Sequence, residues 1–176
     1  MNYFPKTMRA GDVPYTLMLC GGAELLEEQV AEVARLVHAC GAVKGTMEQI
    51  EDRVKKAHLF IIALWDDTIV GVAALKSPAL TYRNTLQKKV GVDLSEKEYP
   101  VELGYVAVSA ANRGRRLSSL LMAELMSQPA GAEGVFATTK RDGYRTAALP
   151  NLGFKYRGSY LNDDRETVHL LTKAGA

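Results

Sequence analysis

One stretch of the sequence, from residue 102 to residue 126, constrains the fold more than any other. Its first third, from Glu102 to Val108, is largely apolar and predicts an extended strand. Its last third carries leucines at the spacing of one helix face, which predicts an amphipathic helix. These leucines are Leu117, Leu120, Leu121 and Leu125.

The turn between this strand and this helix carries three arginines and a glycine, in the run Asn112-Arg113-Gly114-Arg115-Arg116. The first N–H groups of a helix lack intrahelical partners, and the helix N-terminus carries positive partial charge. Arginines beside such a terminus make a candidate anion site, most simply for a phosphate group. The alternative is a solvated basic turn that only connects two core elements.

Length and composition indicate an ordinary globular chain. Its 176 residues, 47% of them apolar, predict one domain over 1–176 with a core that needs no disulfide or metal. The net charge of +2 does not argue for nucleic acid or a membrane. Cys20 and Cys40 are not closely spaced and are expected to be reduced. The sequence shows neither a signal-peptide pattern nor an apolar run of membrane length, so a cytoplasmic location is expected. A monomer and a homodimer are both left open.

The remaining chain alternates apolar runs with amphipathic segments. Its order, β α α β β β α β α β β, predicts a mixed α/β or α+β sheet with helices on both faces. Residues 1–14 are expected to be an irregular lead-in. Strands are expected over 15–20, 59–65, 69–75, 102–108, 134–139, 154–160 and 167–171, and helices over 24–39, 46–57, 117–128 and 144–149.

The polar segment 77–100 is long for a connection within a compact domain. Such insertions are usually functional or disordered. Tyr82, Arg83, Lys88 and Lys89 are candidates for a substrate lid. A solvated short helix is the alternative.

The element order and the central motif together resemble the GNAT superfamily of acyl-CoA-dependent N-acetyltransferases, whose sheet is mixed and mostly antiparallel. The family's phosphate-binding signature is Gln/Arg-x-x-Gly-x-Gly/Ala at the start of its central helix. Arg113 occupies the first position, whereas Arg116 and Ser118 stand where the signature has Gly and Gly/Ala. A Leu-Gly-Phe triplet at 152–154 also follows, as the family often shows after its last helix. The resemblance covers residues 15–172.

The resemblance implies an acetyl-CoA site along the central strand and the following turn. The strand would offer backbone groups to the pantetheine arm, as if the cofactor were an added strand. The turn would cradle the pyrophosphate with backbone N–H groups. The advantage of glycine is that it adopts positive φ, so an arginine at position 116 is tolerated only if φ there is negative. Arg116 would then add charge to the phosphate site or block close approach of the cofactor. The implied residues are Val106, Ala107, Val108, Arg113, Gly114, Arg115, Arg116, Leu117, Ser118 and Ser119.

The implied reaction is direct transfer of an acetyl group from acetyl-CoA to a primary amine in a ternary complex. A free alkylamine has a pKa of about 10.4, so a base must take its proton at neutral pH. Glu102 matches the family's position for that base; the alternative is a carboxylate at a strand edge with a salt-bridge partner. The N–H of Val108 would stabilise the oxyanion.

The proton donor to the departing thiolate does not carry over from the family. Leu149 stands at the position of the usual tyrosine, and Asp142 replaces the usual asparagine. Tyr144 is the nearest substitute, with an ordinary core or surface tyrosine as the alternative, and Tyr156 and Tyr160 are further options. A thiolate with a pKa near 8.5 also leaves without a dedicated acid.

Two other functions remain open. The altered signature and Leu149 fit a non-catalytic acyl-CoA-binding regulatory module. The arginines at 113–116, with Lys140, Arg141 and Arg145, fit an RNA-directed acetyltransferase, although they lack the interleaved aromatics of a single-strand platform. The three histidines lack metal-ligand spacing, so no metal is expected. The amine acceptor, a small molecule or a protein, is left open.

Overall fold

A computed structural model describes residues 5–41 and 43–175. Its strands are β1 Lys6–Ala10, β2 Val13–Cys20, β3 Leu59–Trp65, β4 Thr68–Lys76, β5 Val101–Val108, β6 Val135–Thr139, β7 Lys155–Leu161 and β8 Thr167–Lys173. Its α-helices are α1 Glu27–Ala39, α2 Met47–Lys55, α3 Leu80–Val90, α4 Leu117–Met126 and α5 Pro129–Ala132. Single turns of 3₁₀-helix lie at Gly22–Glu24, Ala110–Asn112 and Pro150–Leu152, and a π-helical turn lies at Tyr144–Ala148.

The strands form one mixed sheet in the order β1-β2-β3-β4-β5-β6-β8-β7. β5 and β6 pair in parallel, and the pairs β1–β2, β2–β3, β3–β4, β6–β8 and β7–β8 are antiparallel. A mostly antiparallel sheet flanked by helices is the fold class that the sequence predicts, and that prediction is confirmed. By its internal contacts the chain divides into two compact units, 5–76 with 104–125 and 77–103 with 126–175. A single domain over 1–176 stays a prediction.

The core of the first unit forms where α1 and α2 pack on β3 and β4. α1 buries the stripe of Val30, Val33 and Val37, as its spacing predicts. Leu26, which lies inside the predicted helix 24–39, is 64% exposed, because α1 begins one residue later and Leu26 precedes it in extended conformation. A capping box opens α2, where the sequence predicts a helix from residue 46: the Thr46 hydroxyl accepts the Gln49 N–H, and the Gln49 side chain accepts the Thr46 N–H.

The expected irregular lead-in is wrong over most of its described length. Lys6–Ala10 forms β1 and pairs with β2 in antiparallel register. β1 buries only Ala10, so backbone pairing rather than a hydrophobic pattern defines this strand. The first four residues of the expected lead-in lie outside the described part.

α4 is held against the sheet at a glycine of β4. A Cβ atom at Gly71 would lie 3.0 Å from Leu121 Cδ1 and 3.1 Å from Leu117 Cδ2. The missing side chain therefore lets the helix approach β4 closely. Leu117, Leu121, Met122 and Leu125 are buried, which fixes the direction in which the start of the helix points.

The second unit has its own core, to which the segment 77–100 contributes. Leu86 of α3 and Leu94 are buried with Phe136 and Leu170. The predicted short helix is therefore present, but one of its faces is core rather than solvated. The alternative of a disordered insertion is wrong for this segment.

Candidate functional site

The turn between β5 and α4 is built around a buried asparagine. Asn112 is 2% exposed, and its Oδ1 accepts hydrogen bonds from the Tyr15 hydroxyl at 2.8 Å and from Arg115 Nη1 at 3.0 Å. Its Nδ2 donates to Ser109 Oγ at 3.0 Å. Ser109 N–H donates to Val70 O of β4 at 2.8 Å, which ties the start of the turn to the sheet. Sequence reasoning gave Asn112 and Tyr15 no role, because no local pattern separates a buried turn asparagine from an exposed one.

Two residues of the turn have left-handed backbones. Gly114 has a φ of +79° and Arg116 a φ of +62°. The condition stated for an arginine at this position, a negative φ, is therefore not met. Arg116 adopts a conformation that glycine reaches without penalty, so the arginine keeps the backbone shape of a glycine at the cost of local strain.

The start of α4 presents backbone donors. Its first i→i−4 bond runs from Leu120 N–H to Arg116 O at 3.1 Å. The N–H groups of Leu117, Ser118 and Ser119 therefore have no acceptor four residues back within the helix. Ser119 is exposed and Ser118 is half-buried, whereas Leu117 is buried and anchors the turn. An anion placed here would meet N–H donors and the positive end of the helix dipole.

Two of the three arginines form hydrogen bonds within the first unit. Arg113 Nε donates to Val108 O at 3.3 Å, and Arg113 Nη2 lies 3.6 Å from Cys40 Sγ. Arg115 donates to Asn112, as described above. Both guanidinium groups therefore hold the shape of the turn. Arg116 is exposed at the start of the helix.

The strand before the turn has a kink in its middle. Tyr105 has a φ of +49°, is 8% exposed, and stacks on Phe60 with ring centroids 6.2 Å apart. Beyond it, Ala107 is buried and Val106 and Val108 are half-buried. A left-handed, non-glycine residue inside a strand is strained and is typical of bulges beside functional sites.

Glu102 lies in the second unit, near the start of β5. It is 2% exposed, and its Oε1 accepts hydrogen bonds from the Tyr82 hydroxyl at 3.2 Å and from Thr138 Oγ1 at 3.1 Å. Burial, and then the charge of Glu102, raise the pKa of the Tyr82 phenol well above its usual range. Sequence reasoning gave Tyr82 as a candidate for a lid or for a solvated short helix, and it missed Thr138, because their meeting with Glu102 depends on how α3 and β6 pack.

Tyr144 has different surroundings. It is half-buried at the start of the π-helical turn, and the Arg141 guanidinium lies 5.7 Å from its ring centroid. Its carbonyl accepts the N–H of Leu149, a residue that is 2% exposed. Among the described contacts, it is Tyr82 rather than Tyr144 that brings a phenol to Glu102. Tyr144 as proton donor stays a prediction.

Metal and membrane features were sought in the described residues. Over 5–41 and 43–175, no group of three or more His, Cys, Asp or Glu residues could hold a metal ion. No helix within those ranges has both the length and the apolar character needed to cross a bilayer.

Comparison with known proteins identifies the class of fold. No protein-family model matches the sequence, and no curated protein matches it. Solved structures do match over most of the chain, and they show the fold of the GNAT acetyltransferases. The resemblance that the sequence indicates is therefore confirmed at the level of fold.

Three individual structures illustrate the match. ElaA from Escherichia coli superposes with a TM-score of 0.64 at 17% identity, covering 90% of this chain and 99% of that one. An acyl-CoA N-acyltransferase from Pseudomonas aeruginosa gives 0.63 at 16% identity, covering 90% and 99%. A GNAT-family acetyltransferase from Streptococcus agalactiae gives 0.63 at 15% identity, covering 91% and 96%.

Proposed function

We propose that the protein is an acyl-CoA-dependent N-acyltransferase that transfers an acetyl group from acetyl-CoA to a primary amine. This proposal rests on the start of α4, which presents N–H donors. Two left-handed residues precede these donors, and the central strand of a GNAT fold, with its left-handed Tyr105, precedes that turn. The acceptor is a small molecule or a protein. A cytoplasmic location, and a monomer or homodimer, stay predictions.

The turn and helix start would bind the pyrophosphate of the cofactor. The backbone from Gly114 to Ser119 supplies N–H donors, and Ser119 adds an exposed hydroxyl. Arg116 adds positive charge at the same end of the helix, whereas Arg113 and Arg115 support the turn through their internal hydrogen bonds. The backbone of Val106, Ala107 and Val108 would receive the pantetheine arm as an added strand.

The chemistry would require one proton acceptor and one oxyanion donor. Glu102 takes the proton of the acceptor amine, directly or through water. The amine nitrogen then forms a bond to the acetyl carbon, the Val108 N–H stabilises the oxyanion, the nitrogen loses its second proton to solvent, and the carbon–sulfur bond breaks to leave the amide. The thiolate of CoA leaves and takes a proton from solvent or from Tyr144. No covalent acyl-enzyme is formed, and no metal takes part.

A non-catalytic acyl-CoA-binding module is the second candidate. It is favoured by Leu149, which stands at the position of the family's usual tyrosine and is buried rather than facing solvent. An RNA-directed acetyltransferase has less support, because the guanidinium groups of Arg113 and Arg115 are used in internal hydrogen bonds. RNA binding that depends on these arginines would weaken steeply with salt.

The test combines binding with turnover. Calorimetric titration with CoA and acetyl-CoA is expected to show micromolar or tighter binding, and thiol release with a panel of primary amines is expected to find an acceptor. Glu102→Gln is expected to lower kcat at least about 100-fold, the usual range for losing a general base, while CoA affinity stays within about twofold. Glu98→Gln, at an exposed carboxylate, is the matched control.

Each negative outcome has a separate meaning. Tight CoA binding without turnover on any amine would support the binding module. Absence of CoA binding would reject both candidates. Wild-type turnover by Glu102→Gln would leave an acyltransferase that uses another base.

A further inference from the structure

The segment 77–100 brings a tyrosine hydroxyl to the central carboxylate. Tyr82 OH lies 3.2 Å from Glu102 Oε1, Thr138 Oγ1 lies 3.1 Å from the same oxygen, and the two hydroxyls are 3.3 Å apart. We propose that Tyr82 is a positioning residue for Glu102, whose carboxylate it holds in one orientation together with Thr138. This inference rests on the proposed function, in which Glu102 is the base.

The geometry defines how the carboxylate is held. Both hydroxyls meet at one oxygen of Glu102, so rotation of the carboxylate about its last bond would break two hydrogen bonds at once. Glu102 is 2% exposed, and Tyr82 and Thr138 are half-buried, so water replaces these donors only partly. A donor hydrogen bond to a carboxylate favours its ionised form, which is the form that a base requires.

α3 is held by hydrogen bonds and packing within the second unit. Arg83, the neighbour of Tyr82, is 3% exposed, and it donates to the carbonyl oxygens of Leu94 at 3.1 Å, Tyr99 at 2.5 Å and Pro100 at 2.6 Å. Leu86, one turn further along α3, is buried in the core of the second unit. These contacts hold the helix in place, and a group that must orient a base needs such rigid support.

The electrostatic surroundings keep Tyr82 a donor. Burial, and then the Glu102 charge, raise the pKa of Tyr82, so its phenol stays protonated at neutral pH. Two further titratable groups interact with Glu102: Arg83 on α3, and Tyr160 on β7. Burial, and then Glu102, raise the pKa of Tyr160, so this phenol also stays protonated at neutral pH.

The experiment measures both the carboxylate and the reaction. The protein is labelled with [δ-¹³C]glutamate, and the Glu102 carboxyl signal is assigned by its loss in Glu102→Gln. Tyr82→Phe and Thr138→Val are each expected to shift that signal at constant pH, because each removes a hydrogen-bond donor to the carboxylate. In both variants kcat is expected to fall about tenfold while CoA affinity is unchanged.

Two matched controls separate positioning from packing. Tyr99→Phe removes a phenol from the same core cluster and is expected to leave the Glu102 signal unchanged and kcat within about twofold of wild type. Thr138→Ser restores the hydroxyl that Thr138→Val lacks, and it is expected to restore both the Glu102 signal and kcat. If Tyr82→Phe unfolds the protein, 3-fluorotyrosine at position 82 keeps the hydroxyl, makes it a stronger donor and is expected to shift the Glu102 signal in the direction opposite to Thr138→Val.

The failure of this inference differs from the failure of the proposed function. If Glu102→Gln abolishes turnover while Tyr82→Phe behaves like Tyr99→Phe, Tyr82 does not position the base and the inference alone is overturned. A Glu102 ¹³C signal that is insensitive to fluorination of Tyr82 would likewise overturn the inference alone. Wild-type turnover by Glu102→Gln overturns both the base assignment and the inference.

Discussion

The hydroxyl of Tyr15 donates a 2.8 Å hydrogen bond to Asn112 Oδ1, and both side chains are almost wholly buried. This bond joins β2 to the turn that precedes α4. Asn112→Ala leaves the Tyr15 hydroxyl without its acceptor and is expected to lower the free energy of unfolding by about 2–3 kcal/mol. Tyr15→Phe removes a single hydroxyl and is expected to cost about 1 kcal/mol. Urea unfolding measures both.

The control for that prediction is Tyr156→Phe, at a tyrosine that is 50% exposed. It is expected to change stability by less than about 0.5 kcal/mol. Because Asn112 sets the shape of the turn, Asn112→Ala is also expected to weaken CoA binding more than Tyr15→Phe does. An Asn112→Ala variant as stable as Tyr156→Phe would contradict the importance of this network.

The left-handed backbone at Gly114 gives a second prediction. A Cβ at Gly114 meets no atom within 4 Å, so Gly114→Ala is strained only by its φ of +79°. We expect a loss of about 1 kcal/mol. Gly143→Ala is the matched control, since it is equally open but has a φ of −60°. It is expected to be neutral or stabilising, and equal effects at the two positions would argue against backbone strain.

Arg116 gives a third prediction, because strain and charge can be separated there. Arg116→Gly and Arg116→Ala both remove the guanidinium, but only glycine relieves the φ of +62°. We expect Arg116→Gly to be more stable than Arg116→Ala by about 1 kcal/mol in urea unfolding. Both variants are expected to lower the salt dependence of CoA binding equally, because they lose the same charge. A glycine variant less stable than the alanine variant would contradict the argument.

Much of the fold follows from local patterns in the sequence. The strands predicted over 59–65 and 69–75 are present as β3 and β4, and the turn at Asp66-Asp67, where both residues have positive φ, joins them into an antiparallel hairpin. The capping box at Thr46 marks the start of α2 within a residue. The strand–turn–helix around Gly114 is also where the sequence places it. These features depend on residues close together in the chain.

The parts that sequence reasoning missed depend on distant packing. β1 has a polar pattern and is defined by its pairing with β2. A positive φ is unusual for a residue with a side chain, so the φ of Arg116 could not be read from its residue type; it follows from the shape of the turn as a whole. Glu102 meets Tyr82 across 20 positions of the sequence and Thr138 across 36, distances over which no periodicity in the sequence extends.

Cys20 gives a fourth prediction. Burial, with a smaller effect of Glu24, raises the pKa of the Cys20 thiol to about 11. Since the thiolate is the reactive form, alkylation of Cys20 by iodoacetamide is expected to stay slow near pH 8 and to rise with pH towards a midpoint near 11. Cys40→Ser isolates this thiol, and free N-acetylcysteine is the reference. A midpoint near 8.5, the usual value, would contradict the effect of burial.

Arg83 gives the last prediction, because its guanidinium satisfies three carbonyl oxygens in the second unit. Arg83→Met leaves these acceptors without their donor and is expected to cost about 2–4 kcal/mol in urea unfolding. Arg83→Lys is expected to recover only part of that loss, since one ammonium cannot reproduce the planar fork. Amide hydrogen exchange over 94–100 is expected to accelerate in both variants.

The matched control is Arg53→Met, since Arg53 donates to the single carbonyl of Lys44 at an exposed site. It is expected to cost less than about 1 kcal/mol. Because Arg83 holds the helix that carries Tyr82, Arg83→Met is also expected to lower kcat, as Tyr82→Phe does. If Arg83→Met destabilises the protein but leaves kcat unchanged, the packing of Leu86 keeps α3 and Tyr82 in place without the arginine.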